Sequence, residues 1–295
     1  LSSLKAAVPR AGANVLRCGR FELPLSQPLV MGIVNVTPDS FADGGRYLDV
    51  SMAVEHALKL IDEGADILDI GGESTRPGAA PVAAGEELRR VLPVVEALSG
   101  EGVPVSVDTS KPEVMRAALA AGASMINDIR ALDSTAAMAA VAGADCAVCL
   151  MHRQNDPATM QLAPHYEDVV GEVKAFLAAR IAAAEAAGIA RSRIVADPGF
   201  GFGKTAAHNM VLLRELRQFA TLGVPLLAGL SRKSTIGRIT GRAVESRVYG
   251  SVAVALLAVE RGAAIVRVHD VAATRDALAM YVAVRDADET TTASA

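Results

Sequence analysis

Three cysteines in 295 residues are too few for a disulfide framework. They fit a reducing compartment, and the cytoplasm is the expected location. An excess of charge of one sign is also missing. The formal net charge of -4 gives no global pull toward nucleic acid or an anionic membrane. Any anion site must therefore be built locally, and the expected partners are small molecules, with no nucleic acid and no membrane. Long hydrophobic runs are absent: the opening LSSLKAAVPRAGANVLRCGRFELPL is broken by charges and prolines before it reaches signal-peptide length, and no later run approaches a membrane span. There is no HExxH motif, and the five histidines show no ligand spacing, so no structural metal is expected. No Ser-His-Asp or Cys-His arrangement stands at an interpretable spacing, which argues against a covalent nucleophile.

What is present is material for a large core, 51% hydrophobic and 21% charged residues, arranged in one repeated rhythm. A short aliphatic or β-branched run is followed by a polar loop and then by an alanine- and leucine-rich amphipathic stretch. The strand candidates are 29–35, 66–70, 104–108, 124–128, 145–151, 193–197, 225–229 and 264–268. Helix candidates lie near 50–63, 84–99, 111–120, 134–142, 167–187, 207–220, 243–261 and 271–285. Eight βα units with even spacing and no change of composition predict a single α/β domain over 14–285, a closed (β/α)8 TIM barrel, with VLRCGRFEL as a short N-terminal hairpin closing its bottom. The tail 286–295 lacks apolar periodicity and is expected to be disordered.

In such a barrel the reactive groups collect where strands run into βα loops. Here the strand ends deliver Asn35, then Glu73 to Pro77, Asp108, Asn127 with Asp128, Met151 with His152, Asp197, the SRKS segment 231–234, and Arg267 with His269. Helix capping accounts for Asp128, Ser110 and Asp133. It does not account for Asp108, Asn127 and Asp197 facing one another across one mouth. A carboxylate accepts two parallel hydrogen bonds from a ring N–H and an exocyclic amine, the edge of a 2-amino-4-oxo-pyrimidine, so the expected ligand is a pterin or a guanine. Lys233 would donate to the ring's carbonyl oxygen or an adjacent nitrogen. Arg267 and His269 share one face at the end of the last strand, the usual anion corner of these barrels, and a diphosphate fits there.

Two segments imitate other motifs. DPGFGFGKT (197–205) ends like a P-loop, but Pro198 stands where the first glycine is needed. Its glycines read instead as a tight backbone turn beside a flat ligand, with Phe202 packed near it. Cys146 and Cys149 form a CxxC inside an apolar strand and point to opposite faces, which excludes a redox or zinc pair.

The motifs MGIVNVTPDSFADGG (31–45), DIGGESTRPGA (69–79), VSVDTSKPEVMRAALAAGASMINDI (105–129), DPGFGFGKT (197–205), GLSRKSTIG (229–237) and VRVHD (266–270) resemble, in this order, those of the dihydropteroate synthase family. The resemblance implies a transferase of folate biosynthesis that joins 6-hydroxymethyl-7,8-dihydropterin diphosphate to p-aminobenzoate. It implies a pterin pocket of Asp108, Asn127, Asp197 and Lys233 lined by Met151, Phe202 and Gly229, with Asp108, Asp197 and Lys233 carrying the catalysis. Diphosphate contacts would come from Asn35, Thr75, Arg267 and His269, and Mg2+ would reach the protein through Asn35. Ser234 would receive the p-aminobenzoate carboxylate; Phe41 and Pro77 would pack on its ring, with Asp43 near its amine and Arg76 in the same closing loops. A homodimer is implied, with SVAVALLAVE (251–260) as the candidate contributor. Departures are small: Thr235 where methionine is frequent, and MHRQNDP (151–157) in place of MHMQG-like sequences.

Two rival functions share part of this pattern. A pterin-binding methyltransferase that serves a corrinoid would keep the pterin edge but has no use for TPDSF, STRPG, SRKS and RVHD together. A non-catalytic pterin-binding homologue is opposed by the intact Asn35, Asp108, Lys233, Arg267 and His269.

Overall fold

The computed structural model describes residues 15–37, 46–74, 81–155 and 159–287. Of the residues singled out above, Phe41, Asp43, Thr75, Arg76 and Pro77 lie outside the described residues, as do residue 14 and the tail from 288.

An antiparallel hairpin opens the chain, β1 (Val15–Cys18) and β2 (Phe21–Pro24), turning on Gly19 at φ +58°. The alternation follows: β3 (Leu29–Asn35), α1 (Arg46–Asp62), β4 (Ile67–Gly71), α2 (Ala84–Leu98), β5 (Val105–Asp108), α3 (Pro112–Ala120), β6 (Met125–Asp128), α4 (Thr135–Ala142), β7 (Ala147–Met151), α5 (Val169–Ala186), β8 (Ile194–Asp197), α6 (Ala206–Arg214), β9 (Leu227–Ala228), α7 (Ser234–Thr240), α8 (Val248–Glu260), β10 (Ile265–Val268) and α9 (Val271–Arg285). All eight strands from β3 onward are parallel, in the order β8-β7-β6-β5-β4-β3-β10-β9. A parallel bridge between Ala196 and Leu226, with the Ala196 amide donating to the Pro225 carbonyl at 3.0 Å, closes the sheet into a barrel. No helix among the described residues is long and apolar enough to cross a membrane.

The predicted strand 225–229 shrinks to two residues because Pro225 has no N–H to donate and so serves only as an acceptor. The predicted helix over 243–261 becomes α8, preceded by α7 and a 3-10 turn at Val244–Ser246. The segment STIGRIT is short, β-branched and carries a glycine, so it has little helical signature. Likewise the helix expected over 207–220 is α only to Arg214 and continues as a 3-10 turn over Leu216–Leu222.

Strand residues alternate between two layers. Val30, Val34, Leu68, Ile70, Val107, Ile126, Val148 and Leu150 face the helices in one core. Leu29, Met31, Ile67, Met125, Ala147, Cys149, Val195, Leu227 and Ile265 fill the lower barrel interior, and Leu16, Cys18 and Leu25 of the hairpin region plug it from below. This floor is apolar apart from the inward Ser106 of β5, and the carboxyls and cations lie above it toward the open end. The three cysteines are free and buried; Cys146 belongs to the outer core and Cys149 to the floor, on opposite faces as expected. Burial pushes the Cys149 thiol well above its ordinary value, which makes it inert.

Candidate active site

Directly above the apolar floor the inward positions turn polar. Arg267 of β10 reaches across the barrel and donates from Nε to Asp69 Oδ2 at 2.5 Å and from Nη2 to Asp108 Oδ2 at 2.9 Å. Asn127 Nδ2 donates to the same Asp69 oxygen at 3.0 Å. The register of the sheet makes this meeting unavoidable: Asp108 stands opposite Asn127 and Gly71, and Asp69 opposite Ile33 and Ser106. Gly71 stands between Asp108 and Asn35: a Cβ there would lie in ordinary contact with both, 3.7 Å from the Asp108 Cβ and 4.0 Å from Asn35 Oδ1.

On the other side, Asp197 ends β8, beside Met151 at the end of β7. Its Oδ1 accepts the Gly199 amide at 2.7 Å, which fixes the carboxyl plane. The segment after it folds back through Gly199, Gly201 and Gly203, all with positive φ. A side chain at Gly199 is impossible, because its Cβ would lie 1.8 Å from the His152 carbonyl oxygen. This turn delivers Phe202 against Met151 and Met160, and the Lys233 ammonium sits 4.0 Å above the Phe202 ring centroid. The false P-loop is explained as well. Lys204 is buried and donates to the carbonyls of Gly199 at 2.9 Å and Phe202 at 3.0 Å, with His152 Nδ1 at 2.9 Å, so it staples the turn from inside. Thr205 caps α6 by accepting the His208 amide at 3.1 Å.

Electrostatics follow from this crowding. Burial pushes the Asp108 carboxyl up to about 7; Arg267 opposes the shift and Asp69 adds to it. Burial also raises Asp197, against the pull of the Gly199 amide and Lys233. Lys233 is lowered to about 8 by burial and by the neighbouring Arg267. Lys204 is lowered to about 7 by burial, and His152 to about 3 by burial and the adjacent Lys204.

The structure thus brings together Asp108, Asn127, Met151, Asp197, Phe202 and Lys233, with Gly229 beside Arg267 at the end of β9. Arg267, expected with the diphosphate, is tied to the carboxyls on the pterin side. His269 lies one step higher, its Nδ1 3.0 Å from Ser231 Oγ. Asn35 is part-buried at the end of β3, and Ser234 is exposed at the first turn of α7. Sequence reasoning missed Asp69, which holds the centre of the cluster. Its signal was a carboxylate within an otherwise apolar inner strand, ILDIG. Among the described residues no group of three or more His, Cys, Asp or Glu side chains could hold a metal ion.

Residues 31–269 match the model of a family described as pterin binding enzyme. The dihydropteroate synthase of Neisseria meningitidis serogroup B is 54% identical over 92% of this chain and 97% of its own length. The chain belongs to the dihydropteroate synthase family. Among solved dihydropteroate synthases, that of Xanthomonas albilineans with 4-aminobenzoic acid superimposes with a TM-score of 0.88 at 57% identity, covering 94% of this chain and 100% of that one. The same enzyme in complex with 7,8-dihydropteroate gives a TM-score of 0.85 at 55% identity over 93% of this chain and 100% of that one.

Proposed function

We propose that the chain condenses 6-hydroxymethyl-7,8-dihydropterin diphosphate with p-aminobenzoate, giving 7,8-dihydropteroate and pyrophosphate, with the pterin ring held in the barrel mouth. The observation that carries this reading is the ring of three carboxyls, Asp69, Asp108 and Asp197, interleaved with Arg267 and Lys233 directly above an apolar floor. Asp197 accepts the paired donors of the aminopyrimidine edge, Lys233 donates to the carbonyl side, and Met151 and Phe202 cover the faces. The bond between the methylene carbon and the diphosphate oxygen breaks, and pyrophosphate leaves with the electron pair. The carboxylates of Asp108 and Asp197 stabilise the positive charge that develops on the pterin. The arylamine nitrogen then bonds to the methylene carbon and loses its proton, with Ser234 at the carboxylate end of p-aminobenzoate. His269, held by Ser231, and Asn35 face the diphosphate.

Mg2+ fits this site as a companion of the diphosphate. Asn35 offers one amide oxygen, and such an ion takes its remaining ligands from phosphate and water. When bound it would neutralise charge on the leaving group. We also assign a homodimer to the face of α8 and α9 that exposes Tyr249 (86%), Met280 (66%) and Val284 (73%). Within SVAVALLAVE, Ser251, Ala255, Ala258 and Val259 are buried in the protomer, so that stretch gives the contact mainly Leu257. The test of function is pyrophosphate release from the dihydropterin diphosphate with and without p-aminobenzoate. Dihydropteroate formed together with pyrophosphate only when p-aminobenzoate is present, and abolished by a chelator, is expected; pyrophosphate without dihydropteroate in the presence of p-aminobenzoate would contradict the assignment.

A further inference from the structure

Asp69 is fully buried in β4, two residues below the strand's end. One of its oxygens, Oδ2, takes both the Arg267 Nε–H and the Asn127 amide N–H, while Oδ1 has no hydrogen-bond partner. Oδ2 already accepts the N–H of a guanidinium, so toward Asn127 it serves as an acceptor. The amide of Asn127, whose two ends are nearly equal in size, therefore has only one stable orientation: nitrogen toward Asp69, oxygen away from it. Asn127 faces inward beside Asp108, its register partner on β5. The wall made by Asp108 and Asn127 consequently offers oxygen acceptors to whatever enters the mouth.

We infer that Asp69 is a positioning residue that sets the hydrogen-bond polarity of the pocket, turning Asn127 so that the site selects a donor-bearing ring edge and rejects an acceptor-bearing one. This rests on the pterin reading above. Asp69 touches no ligand in this scheme; it acts through Asn127 and, by the second bond to the same oxygen, keeps Arg267 alongside Asp108. A site built to receive donors discriminates strongly against an analogue that lacks them, because its own acceptors are left unpaired. Without Asp69 the amide of Asn127 can rotate and donate, and the discrimination weakens.

The test compares binding of 6-hydroxymethylpterin with 6-hydroxymethyllumazine, in which an oxygen replaces the exocyclic amine, by calorimetry on the full chain. Asp69→Leu should weaken pterin binding about tenfold or more while lumazine binding stays level or tightens. Asp69→Asn can keep an oxygen at the shared position, and should hold the pterin-to-lumazine ratio within about threefold of wild type. Asn127→Leu removes the amide through which Asp69 acts and should lower the pterin-to-lumazine ratio as Asp69→Leu does, which keeps the inference open to refutation if Asp69→Leu does not fold. Equal weakening of both ligands in Asp69→Leu, or an unchanged ratio in Asn127→Leu, would overturn it. A wild-type chain that binds neither ligand contradicts the pterin reading itself, and this inference with it.

Discussion

Ile67 and Asp69 stand two residues apart on one strand, as do Met125 and Asn127, Val195 and Asp197, and Ile265 and Arg267. The lower member of each pair belongs to the apolar floor sealed by the N-terminal hairpin, and the upper member to the polar mouth. The same strands thus carry two environments separated by one pleat. Below, mostly aliphatic and sulfur-bearing groups fill space and supply burial energy. Above, carboxyls and cations are packed so closely that several titrate far from their ordinary values. The floor holds the fold; the mouth spends some of that stability on chemistry, as active sites commonly do.

The sharpest way to break this comparison is to substitute each level separately. Asp197→Asn should lower turnover about 10²–10³-fold, the usual loss when a preorganised charge is removed. Its melting temperature should stay close to wild type, because burial already strains the charged form of that carboxyl. Near-normal kinetics would remove Asp197 from the site. Met125→Ala should do the reverse: about 2–5 kcal/mol less stable in denaturant titration, since the side chain is fully buried, with unchanged kcat/KM per folded molecule.

The pH dependence should separate the two levels again. Asp108 has its folded value raised to about 7, so its contribution to stability is complete below the unfolded value near 4 and is lost as pH rises through about 7. Activity should move the opposite way, since the ionised carboxylate is the stabilising form. With Lys233 losing its proton near 8, kcat/KM should form a narrow bell between limbs at about 7 and about 8. In Asp108→Asn the acid limb should disappear and the fall of stability between pH 4 and 7 should flatten, whereas Met125→Ala should leave both slopes in place. The smallest catalytic effect is expected at the outer wall. On the homodimer proposed above, Tyr249→Asp should shift sedimentation from dimer to monomer with little change in melting temperature, and sedimentation identical to wild type would contradict an interface at this face.

Much of this was legible in the chain. The eight strand and helix alternations, the polar residues at each strand end and the glycine turn at 197–205 follow from periodicity and position alone. Asp69 escaped because attention to the last residue of each strand passes over a carboxylate two places earlier, and only the cross-barrel reach of Arg267 gives it a purpose. Lys204 escaped because a lysine is solvated by default; three carbonyls converging on a buried ammonium are made by the folded turn, not by neighbours in sequence. The orientation of the Asn127 amide depends on a partner 58 positions away. The helix α7 was hidden by β-branched residues whose local preference yields to packing.

The most direct measurement is dihydropteroate formation from dihydropterin diphosphate and p-aminobenzoate, compared between the wild-type chain and Asp108→Asn at equal folded concentration. The account predicts one dihydropteroate per pyrophosphate in the wild type and a rate at least about a hundredfold lower in the variant. An undiminished rate in Asp108→Asn, or pyrophosphate without dihydropteroate in the wild type, would contradict it.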